Sequence, residues 1–149
     1  MWRRQALGGA AHPHTEWDAY DLVGPDNLKV EVKSAAYLQS WQQRQPSAIR
    51  FDIALKRGWD ASTNIYSSEA SRTAEVYVFC VFAEQRREFA DPLQLEQWFF
   101  LVCPTQWLGE RFSVQKSVAL STLEHLTKRC ISFWRAKRVQ NMGAGRRME

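Results

Sequence analysis

An uninterrupted apolar run, Val76-Tyr77-Val78-Phe79-Cys80-Val81-Phe82, constrains this fold more than any other feature. It has strand length and is rich in β-branched and aromatic residues, so it predicts a central strand covered on both faces. Trp98-Phe99-Phe100-Leu101-Val102-Cys103, stopped by Pro104, predicts a second. Two such strands require layers on both sides of one sheet, and 149 residues suffice for one core of that kind. The expected class is α/β, a mixed sheet of about five strands with flanking helices, in a single domain over residues 1–127. Residues 48–55 alternate, with Ile49, Phe51, Ile53 and Leu55 on one face and Arg50 and Asp52 on the other, the pattern of a half-buried strand. Residues 105–111 and 121–128 predict short helices, the second capped by Ser121 with Glu124 three residues on. Residues 131–140 predict a last, basic helix, and residues 56–72 a long loop with a short helix begun at Ser68. Residues 1–14, interrupted by Gly8, Gly9 and Pro13, define no clear element.

The net charge of +4 is unevenly placed. Seven of the 20 basic residues and one of the 16 acids fall after residue 127, so residues 1–127 hold 13 basic against 15 acidic side chains and carry −2. The basic tail, with Arg135, Lys137 and Arg138, suits either phosphate contact or a solvated terminus. No apolar run approaches the roughly 20 residues needed to span a bilayer. The short apolar stretch after Arg3-Arg4 does not make a signal peptide, so the expected location is the cytoplasm. Cys80, Cys103 and Cys130 are odd in number and form no Cys-x-x-Cys pair, which fits reduced thiols in such a compartment.

The chemistry is concentrated between Asp21 and Lys33. Residues 17–23 and 28–35 read as two short strands joined by Gly24-Pro25-Asp26-Asn27. Side chains alternate along a strand, so Glu31 and Lys33 share a face. A hairpin turning about Asp26 sets Asp21 opposite Glu31, on that same face, and sends Tyr20, Leu22, Val30 and Val32 to the other. One register thus buries four apolar residues and gathers two carboxylates and a lysine. The arrangement suits a divalent metal beside a phosphodiester; it also suits a plain solvent-facing hairpin with one cross-strand ion pair.

Asp21, nine residues, then Glu31-x-Lys33 resembles the core of the PD-(D/E)xK nuclease superfamily, the restriction-endonuclease-like fold. Trp17-Asp18-Ala19-Tyr20-Asp21-Leu22, Val30-Glu31-Val32-Lys33-Ser34 and Tyr37-Leu38-Gln39-Ser40-Trp41 are similar to a group of bacterial proteins assigned to it. Arg72 through Phe79 and Gln97-Trp98 fit the same group, so the resemblance covers roughly residues 15–125. It implies a restriction-endonuclease-like core and a Mg²⁺- or Mn²⁺-dependent DNA endonuclease, possible as a homodimer. It implies that Asp21 and Glu31 ligate the metal, with the main-chain carbonyl of Val32 as a further ligand. Lys33 would orient or deprotonate the attacking water and offset transition-state charge, and Gln39 would support it.

The superfamily opens with a helix whose glutamate also faces the metal, whereas residues 1–15 contain no acid. The chain is therefore expected to begin within or after that helix. Glu16 is the candidate substitute, since Asp18 falls with Tyr20 on the core side. A catalytically degenerate nucleic-acid-binding protein on the same fold is the alternative. His12, His14, Glu16 and Asp18 alternate and would share a face if extended, a set that could suit Zn²⁺ or Mn²⁺, but Pro13 and the small residues before it argue for a flexible terminus instead. Arg44, Arg50, Lys56 and Arg57 are candidate phosphate contacts or a solvated surface, and Trp41 and Trp59, beside polar or basic stretches, are the aromatics to test for base stacking, with packing the preferred reading.

Overall fold

The computed structural model describes residues 20–60, 62–130 and 132–135. Its centre is a five-stranded mixed sheet built from β1 (Leu22–Val23), β2 (Lys29–Ala36), β6 (Val76–Phe82), β7 (Trp98–Pro104) and β9 (Ser132–Arg135), in the spatial order β1-β2-β6-β7-β9. β2 and β6 run parallel and the other neighbours antiparallel. The two apolar runs are the adjacent strands β6 and β7, at the sheet's interior, as their composition predicts.

Register sorts the side chains. Glu31, Lys33 and Ala35 of β2 stand beside Tyr77, Phe79 and Val81 of β6, and these beside Cys103, Leu101 and Phe99 of β7. A second layer packs on this face. It contains β3 (Arg50–Asp52) paired antiparallel with β8 (Ser117–Ala119), α1 (Thr105–Arg111) and α2 (Leu120–Cys130). Phe51, Ile53, Trp107, Leu108, Val118 and Leu123 join Phe79 and Leu101 in one buried cluster, with the Phe51 and Phe79 rings 4.8 Å apart. Cys80, Phe82 and Trp98 form a smaller cluster on the opposite face, flanked by Val32, Val78 and Phe100.

The hairpin turn folds as its residues suggest. Pro25–Asn27 forms a 3-10 turn in which Asp26 and Asn27 take φ values of 54° and 60°. These two residue types tolerate the left-handed region best after glycine. The Gly24 N–H donates to the Leu28 carbonyl at 2.7 Å and closes the turn.

Several expectations fail for local reasons. Residues 56–72 are not a loop: β4 (Lys56–Asp60) and β5 (Ile65–Ser71) make a separate two-stranded arm, and Ser68 lies within a strand. β5 is exposed at every residue, so no burial pattern marked it. Leu55 is 40% exposed. β3 stops at Asp52, whose Oδ1 accepts the Ala54 N–H at 2.9 Å and turns the chain out of alternation. Ser121 is not a cap, because β8 runs directly into α2, which starts at Leu120. Ser132–Arg135 is an edge strand rather than part of a basic helix. Residues 1–19 and 136–149 lie outside the described residues, and with them Glu16, the alternating histidines and most of the basic tail. Among the described residues no helix is long and apolar enough to cross a membrane.

Candidate active site

The ladder between β1 and β2 pairs Leu22 with Val30 and Val23 with Lys29, the register expected from the sequence. It is short, ending one residue after Asp21. There the Asp21 N–H donates to the Val30 carbonyl at 2.9 Å, and Asp21 Oδ2 accepts the Val32 N–H at 2.7 Å. The carboxylate thus lies along the edge of β2, where that N–H points, instead of standing on the face across from Glu31. A strand residue turns its N–H and C=O to the same neighbour. The Val32 carbonyl therefore faces the Asp21 side too, away from β6. Tyr20, outside the ladder, escapes the alternation: it packs against the large cluster on the Glu31 side, with the Lys29 ammonium 5.5 Å from its ring centre.

Among the described residues Glu31 is the single charged one in the buried set, at 5% exposure. Its Oε1 holds two ammonium groups, Lys33 Nζ at 2.7 Å and Lys56 Nζ at 2.8 Å. Lys33 reaches it along β2; Lys56 reaches it from the first residue of the arm. Burial opposes ionisation of Glu31, but the two lysines outweigh it and hold the carboxyl below its ordinary range. Burial likewise works against the charge on Lys56, and the Glu31 carboxylate overcomes it, holding that ammonium above its ordinary value. Tyr77, opposite Glu31 on β6, is pushed up first by burial and then by the Glu31 charge, so its phenol stays protonated.

The other named residues lie elsewhere. The Gln39 side chain donates to the Ala36 carbonyl at 3.0 Å, and its own N–H donates to Gln43 Oε1 at 2.7 Å. It lines a cleft of about 390 Å³ beyond the end of β2 with Ser34, Ser47 and Arg50. Arg50 donates to Ser117 Oγ at 3.0 Å; Arg44 and Arg57 are exposed; Arg135 belongs to β9, while Lys137 and Arg138 lie outside the described residues. Trp41 is 63% exposed. Lys56, read from sequence as a phosphate contact, belongs to the Glu31 cluster. No periodic signal could have found this, because 25 residues separate the pair.

Two carboxylates and a carbonyl are hard oxygen donors, the set Mg²⁺ accepts with water completing its shell. Among the described residues there is no group of three His, Cys, Asp or Glu side chains that could hold a metal. Compared with protein-family models, curated proteins and solved structures, the chain matches none.

Proposed function

We propose that this protein is a metal-dependent nuclease of the restriction-endonuclease-like kind, hydrolysing DNA phosphodiesters at the Asp21, Glu31, Lys33 site. The observation that carries this reading is Glu31. A buried carboxylate is expensive unless paired, and one ammonium suffices to pair it. A structural role does not call for two lysines on one oxygen, with a second carboxylate tied to the amide of the next residue. A site that handles phosphate calls for both signs of charge in one place.

Asp21 and Glu31, with the Val32 carbonyl, would hold Mg²⁺ or Mn²⁺. Bound there, the ion would supply polarisation of the scissile phosphate. Lys33, on the face of Glu31 and held by it, would donate to a phosphate oxygen or orient the attacking water. The cleft lined by Ser34, Ser47 and Arg50 would offer donors to a nucleic-acid backbone.

A second reading is favoured by the lack of a third metal-capable side chain near the pair among the described residues. It is a binding protein on the same frame that has lost catalysis. Plasmid nicking in Mg²⁺ and Mn²⁺, with Glu31→Ala and Lys33→Ala proteins alongside, separates the two. Metal-dependent nicking lost in both variants supports the nuclease. A folded wild-type protein that retards DNA without cutting it supports the second reading.

A further inference from the structure

Glu31 holds one ammonium more than its charge requires, and the two differ in kind. Lys33 is two residues along the same strand and face, with a side chain 19% exposed. Lys56 is 50% exposed and enters from β4, which among the described residues pairs with β5 alone. The ladder of that arm shifts register between Arg57 and Trp59, directly after Lys56, and nothing lies within 4 Å of a Cβ built on Gly58. Lys56 can thus leave Glu31 without breaking a hydrogen bond of the main sheet, whereas Lys33 is fixed by β2.

Resting on the nuclease reading above, we propose that Lys56 is a releasable counter-ion of Glu31, holding the carboxylate while no divalent cation is bound and opposing the binding of one. The physical reason is direct. Both Lys56 and a divalent cation seek the same carboxylate, and like charges a few ångströms apart repel strongly in a partly buried site. Lys33 stays as the lysine of the reaction, and Lys56 sets how readily the site loads. The same contact joins loading to the position of the arm, because Lys56 is its first residue.

The test is Mn²⁺ binding by calorimetry, free of any activity readout. The proteins are wild type, Lys56→Met, Lys56→Arg, and the Glu31→Gln/Lys56→Met double variant, each first checked for a wild-type melting profile. Methionine keeps the aliphatic stem and removes the charge, so Lys56→Met is expected to bind Mn²⁺ about tenfold more tightly. Lys56→Arg keeps the charge and should bind like wild type, and the gain should vanish in the double variant. Equal affinity in wild type and Lys56→Met would overturn the counter-ion role and leave the nuclease reading standing, as would a gain that survives the loss of Glu31. Absence of Mn²⁺ binding in all four folded proteins would overturn the metal-dependent reading itself, and the inference with it.

Discussion

Two ion pairs in this protein have nearly the same length and different weight. Glu84 Oε2 accepts from Arg86 Nη2 at 2.9 Å, with a further bond from the guanidinium to Oε1, and pulls the Glu84 carboxyl down to about 2. Glu31 meets Lys33 and Lys56 at 2.7 and 2.8 Å. Judged by distance and fork geometry, the first is as good a pair. It joins residues two apart in one loop and leaves the Arg86 side chain 65% exposed, so water competes for that guanidinium. The second joins β2 to the arm around a buried carboxylate that water does not reach freely. Length therefore says little about what a pair does; burial, and the separation of the elements it joins, say more.

The sharpest contrast concerns chemistry. On the nuclease reading proposed above, Lys33→Ala should lower metal-dependent cutting by about 10²-fold or more, the usual worth of a positioned proton-transfer or charge-stabilising group, while Arg86→Ala leaves the rate unchanged in the same nicking assay. Glu31→Ala should also destabilise the fold by about 2–3 kcal/mol in urea unfolding. This is below the cost of stranding a fully enclosed charge, because the Lys56 left behind is half exposed. Acid gives a smaller effect of known sign. The carboxyl of Glu31 titrates lower in the folded protein than its ordinary value of 4.5, so its contribution is present above that pH and is lost as the pH falls below it. The melting temperature of wild type should thus drop more steeply below pH 4.5 than that of Glu31→Gln. Lys56 works in the other sense: its folded value lies above 10.5, so its share is full below that pH and fades as the pH rises through the folded value. The smallest effect belongs to the Glu84–Arg86 pair, where Arg86→Ala, at the exposed partner, should leave the urea midpoint nearly unmoved despite the low carboxyl value of Glu84.

What could be read from the residues was whatever burial had written into them. Val76–Phe82 and Trp98–Pro104 announce interior strands because both their faces are covered, and Ile49, Phe51 and Ile53 alternate because one of theirs is. The β1–β2 register follows from a turn whose Asp26 and Asn27 accept a positive φ. The arm was illegible for the complementary reason: β5 buries nothing, so its sequence carries no period. The site was legible as far as one strand reaches. Glu31 and Lys33 share a face by alternation alone, but the capture of Asp21 by the Val32 amide depends on where the ladder frays. The arrival of Lys56 and Tyr77 depends on long-range pairing that no local pattern encodes.

The parallel pairing of β2 with β6 has a consequence for how the protein is made. The hairpin of β1 and β2 closes over a three-residue turn, whereas the contact between Lys29 and Glu75 at the foot of the β2–β6 ladder spans 46 residues. Short loops close early and long ones slowly, because the chain surrenders its freedom before distant contacts repay it. β1 and β2 therefore pair first as a nascent hairpin, and Glu31 is enclosed only when β6 docks beside it with Tyr77. Until then its carboxylate stands in water. The last stage of folding is thus the one that converts an ordinary acidic hairpin into a charged interior, and a refolding experiment should find the fluorescence of buried Trp98 and Trp107 and the protection of Glu31 arriving together.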